Sequence, residues 1–187
     1  MKKFGLLFLV LMLSLTVANA YAESAATEAP AAAAPMDSVI GAFSTVDLAG
    51  NAVDSNVFAN SKLTLVNVWA TYCGYCVDEM PDLAKLDGEY DDLQVLGILA
   101  DAGTKDTTDP TNLKLGQDIA KETGAGYVSV LPDSVINEQL LTYLTAYPTS
   151  FFVDQNGQIV GEPILGAKSY DDWKMEIDKK LTQVKAS

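Results

Sequence analysis

Histidine and arginine are both absent from this 187-residue chain, and all 12 basic residues are lysines. Without histidine there is no Ser-His or Cys-His dyad and no imidazole-ligated metal. Without arginine there is no arginine finger. Cysteine is nearly absent too, with only Cys73 and Cys76, two residues apart. Positive charge is scarce against 25 acids, for a net charge of −13. That balance argues against nucleic acid or an anionic membrane surface as a partner and favours solubility. Any catalysis must therefore draw on cysteine, carboxylate, lysine, tyrosine or the backbone. Apolar residues make up 49% of the chain, enough to bury the core of one domain.

The chain opens like an export signal. Lys2 and Lys3 precede a nearly continuous apolar run, Phe4 to Val17. Two small-x-small cleavage candidates follow, Ala18-Asn19-Ala20 and Ala20-Tyr21-Ala22. We assign residues 1–22 to this segment, with an uncleaved anchor as the alternative. The apolar run is short for a membrane-spanning helix, and neither cysteine lies near the cleavage sites for lipid attachment. Residues 23–38 are rich in Ala and Pro, lack a cluster of large apolar side chains and read as a flexible tether. The folded domain is placed at 39–187.

Within that domain, Phe43 to Asp47 alternates and is followed by a turn at Leu48 to Asn51 and a short second strand near Ala52-Val53. Leu63 to Trp69 is β-branched and mostly apolar, as a central buried strand would be. The cysteine pair comes next, then Met80, Leu83, Ala84 and Leu86 at helical spacing. A strand over Leu93–Ala100, a polar loop and a helix over Leu113–Thr123 follow. Beyond them come a strand over Val128–Leu131 and a helix over Val135–Thr145. Thr149–Asp154, Asn156-Gly157 and Gln158–Gly161 form a hairpin signal, and Ser169–Val184 a closing helix. This order gives an α/β domain with a mixed central sheet flanked by helices.

Several readings of the cysteine pair fall away. A zinc site needs four ligands, and two cysteines without histidine leave it half built. Covalent haem needs histidine after the second cysteine, where Val77 stands. A copper-carrier reading suffers from the same missing histidine. A structural staple closing so short a loop constrains the unfolded chain little. A redox dithiol fits the placement at a strand-to-helix junction. Cys73 would lie at a helix N-terminus, whose partial positive charge favours thiolate. Cys76 would lie one turn inside, within reach to resolve a mixed disulfide. Glu79 follows Cys76 by three and shares its helix face. If buried it would have a raised pKa and could accept a proton; the alternative is an acid placed in the first turn for the helix dipole. Pro148, at the entry to a strand, is a second landmark that local sequence leaves open between cis and trans.

With those residues in place, the chain resembles the thioredoxin superfamily, and within it the TlpA/ResA-like extracytoplasmic thiol-disulfide oxidoreductases. The matching pieces are Val68-Trp69-Ala70-Thr71, Cys73-Gly74-Tyr75-Cys76, Glu79 with Pro81, Tyr147-Pro148-Thr149, Phe151 to Asp154 with Asn156-Gly157, and Gly166. The resemblance implies a thioredoxin-like fold with an N-terminal β-hairpin extension and a mid-chain insertion over Ala102–Tyr127. It implies Cys73 as nucleophile, Cys76 as resolving thiol, and Glu79 as the carboxylate that tunes them. It implies a cis Pro148 facing the disulfide, with Trp69, Tyr72, Gly74, Tyr75, Tyr147 and Thr149 around the partner-binding surface. Tyr72 and Tyr75 depart from the Trp and Pro common among relatives, which bears on the redox potential. A peroxiredoxin-like site would need Thr where Ala70 stands, and an arginine. The expected activity is protein-disulfide reduction without a cofactor beyond the Cys73–Cys76 disulfide. The expected place is the periplasm or the outer membrane face, and the expected state is a monomer. Expected partners are oxidised exported proteins such as apocytochrome c, and a membrane thiol-electron transporter of the CcdA/DsbD kind. The alternatives are a non-catalytic exported binding module with a structural disulfide, and the same centre acting as an oxidase or isomerase.

Overall fold

Every residue of Leu63–Trp69 (β3) is buried, which fits a strand covered on both faces. Its side chains alternate between two cores. Leu63, Leu65 and Trp69 join one; Val66 and Val68 join the other. The computed structural model describes residues 40–185; the export segment, the tether and the domain start at 39 lie outside the described residues.

Around β3 the main sheet runs in the order β5 (Val128–Val130), β4 (Leu93–Leu99), β3, β6 (Thr149–Asp154), β7 (Ile164–Leu165). Strands β4 and β5 extend it in parallel, and β6 and β7 extend it antiparallel on the other side. It is the mixed sheet expected from the element order. Helices α1 (Gly74–Glu89) and α4 (Tyr170–Lys185) cover one face, where Met80, Leu83, Leu86, Trp173 and Ile177 pack on Leu65 and Phe152. On the other face lie a 3-10 turn at Ser55–Asn60 and helix α3 (Ser134–Gln139), which bring Phe58 and Ile136 onto Val66, Val68 and Phe151. Helix α2 (Pro110–Thr123) belongs to the insertion, and Asp109 caps it through the Thr111 and Asn112 amides. A separate antiparallel hairpin, β1 (Ser44–Val46) and β2 (Ala52–Asp54), precedes the sheet. Asp133 ties it down by accepting from Ser44 N at 2.9 Å while capping α3 at Ile136 N.

Two elements differ from the sequence reading. The helix expected over 135–145 stops at Gln139 and resumes only as a 3-10 turn, Leu141–Tyr143. There the Thr142 hydroxyl bonds the Asn137 carbonyl at 2.8 Å, taking an acceptor that a continuing helix would use. The hairpin after β6 turns at Asn156-Gly157, with Gly157 at φ +80°. Its return arm makes only a Val153–Ile159 bridge before Gly161, at φ +81°, diverts the chain. Regular pairing with β6 is supplied by Ile164–Leu165 instead.

Candidate active site

β3 ends at Trp69 and α1 begins at Gly74, so the cysteines sit at the carboxyl end of a central parallel strand. The Cys73 N–H donates to the Ala70 carbonyl at 3.0 Å, closing a turn immediately before the helix. Cys73 is the N-cap of α1, and its sulfur accepts from the Cys76 amide at 3.2 Å. The two are joined as a disulfide, S–S 2.09 Å. Cys73 keeps 8% of its surface in solvent and Cys76 none, so a partner can approach only Cys73.

The disulfide edges an open groove of about 540 Å³, lined by Tyr72, Gly74, Tyr75, Leu144, Thr145, Ala146 and Tyr147. Tyr72 and Tyr75 are about three-quarters exposed, at 74% and 75%. The Tyr72 and Tyr147 rings meet edge to face, 6.3 Å apart. The Tyr147–Pro148 peptide is cis. Pro148 and Thr149 are buried behind the groove, and the Thr149 hydroxyl donates to the Ala146 carbonyl at 2.8 Å. Trp69, expected among the contact residues, is fully buried. Strand alternation turns its indole under α2, where the ring lies against the Gly116 position. It supports the site from below and does not reach a partner. The stretch Leu144 to Ala146, which does reach the groove, carried no sequence signal beyond a helix end.

Glu79 lies one turn past Cys76 and is buried on the sheet side of α1. One carboxylate oxygen accepts from Asn67 Nδ2 at 2.8 Å. The other accepts from the Trp173 indole at 3.1 Å and the Lys168 backbone N–H at 3.3 Å. Asn67 also donates to Ser150 Oγ at 3.0 Å. Burial raises the Glu79 pKa above its ordinary value; those three donors pull it back only in part, and Asp82 adds to the rise. A buried carboxyl whose pKa is raised is the kind of group that can take up and return a proton. Sequence reasoning found Glu79 but missed its partners. Asn67, a lone amide in an otherwise apolar central strand, was the available clue. Trp173 read only as core.

A redox-capable disulfide at the strand-to-helix junction of a mixed sheet, with a buried carboxyl behind it, defines a thiol-disulfide oxidoreductase of the thioredoxin-like kind. The chain belongs to the AhpC/TSA family, whose model matches residues 27–161. Solved structures share the fold. A putative thioredoxin from Neisseria meningitidis is 25% identical with a TM-score of 0.62, covering 81% of this chain and 95% of its own. The thioredoxin domain of a thiol-disulfide oxidoreductase from Bacteroides vulgatus is 24% identical with a TM-score of 0.60, covering 78% and 97%. A secreted disulfide oxidoreductase from Mycobacterium tuberculosis, homologous to E. coli DsbE, is 18% identical with a TM-score of 0.58, covering 73% and 95%. No curated protein matched the chain.

Proposed function

We propose that the protein is an extracytoplasmic protein-disulfide reductase acting on oxidised exported proteins, apocytochrome c among the candidates. The observation that carries this reading is the asymmetry of the pair: Cys73 edges an aromatic groove while Cys76 is sealed beside the helix face that bears Glu79. In the reduced protein, the Cys73 thiolate attacks one sulfur of a partner disulfide. That bond breaks, a Cys73–partner disulfide forms, and the other partner sulfur leaves as thiolate. Cys76 gives up its proton, with Glu79 as acceptor, and attacks Cys73 Sγ. The Cys73–Cys76 disulfide forms and the partner's second sulfur is released, so two electrons have passed to the partner. A membrane thiol-electron transporter of the CcdA/DsbD kind would return the pair to the dithiol. The export-like leader supports a place outside the cytoplasm, and one structural neighbour is itself secreted. The direction of flow is supported by Gly74-Tyr75, which offers no cation to stabilise a thiolate, and by the acids Asp78 and Glu79.

A Cys76→Ser variant should trap mixed disulfides through Cys73 when offered oxidised exported proteins. If Cys73→Ser traps them equally well, the roles are misassigned. A pair that stays oxidised in strongly reducing glutathione buffer would point instead to a structural bond in a binding module.

A further inference from the structure

Asp101 stands just past the end of β4, beside the turn that delivers Cys73. The parallel pairing of β3 with β4 reaches Trp69 and Leu99, and the Ala100 N–H donates to the Trp69 carbonyl at 2.9 Å. Beyond that point the Thr71 N–H takes no backbone carbonyl of β4. Both carboxylate oxygens of Asp101 accept from it at 3.0 Å, and the Thr71 hydroxyl donates to the same group at 2.5 Å. A neutral carbonyl is the usual acceptor at such a position. Here a charged group takes the role, two residues before the nucleophilic cysteine.

The charge is held in place, and among the described residues no ion pair neutralises it. Asn112 on α2 donates to the Asp101 carbonyl at 2.8 Å, and the Asp109 N–H donates to the next carbonyl, Ala102, at 2.8 Å. The insertion thus braces Asp101 from behind. The ion pairs among the described residues are Lys62–Asp92, Lys85–Glu89 and Lys114–Asp118, none of which includes it. Asp101 is half-buried, where solvent screens a charge incompletely. Its field reaches the groove: the Tyr147 phenol is held up first by burial, then by Tyr72 and Asp101. The other ionisable groups on the elements packed here are Tyr72, Tyr75 and Tyr147 lining the groove, Asp78 and Glu79 on α1, Lys168, whose backbone N–H bonds Glu79, and Lys105, Asp106 and Asp109 in the loop after Asp101.

We infer that Asp101 is a positioning residue that fixes the turn carrying Cys73 through Thr71, and whose charge disfavours the Cys73 thiolate and so keeps the dithiol a strong electron donor. The inference rests on the reductase reading above. Its sign follows from the half-reaction: disulfide plus two electrons and two protons gives the dithiol, and an anion near Cys73 withholds the stabilisation that ionising one thiol would give the reduced form.

The test is made on the reduced full-length protein, by the pH dependence of iodoacetamide alkylation at Cys73. Asp101→Asn keeps an acceptor for Thr71 and removes the charge. Its alkylation midpoint should fall by about one pH unit. The rate at pH 7 should rise roughly threefold, since the larger thiolate fraction outweighs lower nucleophilicity. Above both midpoints, at pH 9, the equilibrium with glutathione should shift about 3–10-fold toward the dithiol. Thr71→Val removes the hydroxyl bond, leaves the Asp101 charge and should hold the midpoint. An unmoved midpoint in Asp101→Asn, or an equal shift in Thr71→Val, overturns the inference. Should Asp101→Asn not fold, Asp101→Ser carries the same expectation. These readouts need no partner protein. If Cys76→Ser traps nothing while the thiol still responds to Asp101, it is the reductase reading that has failed.

Discussion

Trp173→Phe isolates one of the three donors that hold the Glu79 charge. Phenylalanine keeps most of the ring that meets Phe152 edge to face at 6.4 Å and removes the indole N–H that reaches Glu79 at 3.1 Å. A hydrogen bond to a charged group is worth about 1.5–3 kcal/mol, and one between neutral groups about 0.5–1.5 kcal/mol. The part that depends on Glu79 ionisation is therefore about 1–1.5 kcal/mol, or about one pKa unit. Glu79 is already raised above its ordinary 4.5 by burial, so the folded state holds its proton more tightly than the unfolded chain does. Stability is thus lost as pH climbs from the unfolded pKa through the folded one, and is constant above it. In the variant that window extends about one unit further. Urea unfolding followed by circular dichroism, with the disulfide intact, should show a basal loss of about 1–2 kcal/mol at pH 4 from packing and the neutral bond. At pH 8 the loss should be about 1–1.5 kcal/mol larger. The extra loss should vanish when Glu79→Gln is present in both chains. An equal loss at pH 4 and pH 8 would refute the claim that the indole supports a charge.

Other consequences are more local. Gly97 lies beside Asn67 on β3 and Ser129 on β5, and a Cβ there would overlap the Ser129 hydroxyl and come within 3.2 Å of the Trp69 indole nitrogen. Gly97→Ala should cost about 1–3 kcal/mol in urea unfolding, with Ser129→Gly in the same chain recovering most of it. Tyr72→Ser removes an exposed ring from the groove. It should change stability by less than about 0.5 kcal/mol while raising the KM for a disulfide-bonded protein substrate roughly fivefold. A matching loss of stability would mean the ring is structural.

The elements that follow near-neighbour rules were legible from the chain. β3 reads as a buried strand because its apolar residues are contiguous, and the helix after Cys73 because Met80, Leu83 and Leu86 recur at its period. Where a side chain competed for the backbone the reading slipped, as at Thr142, whose hydroxyl takes a helical acceptor. The return arm after Asn156-Gly157 slipped too, because pairing register depends on where Gly161 and the later chain go.

The missing histidine and arginine, the lone cysteine pair and its place between a buried strand and a helix were determined by sequence alone. Composition and short-range spacing decide them. Folding decided the rest of the site. Glu79 is surrounded by Asn67, the Lys168 backbone and Trp173, which are 12, 89 and 94 residues away along the chain. Trp69 went under α2 while Leu144 to Ala146 came up beside the disulfide. Asp101 met Thr71 because parallel strands end side by side. Burial and a carboxylate's hydrogen-bond partners depend on what is close in space, which residue types in order do not specify.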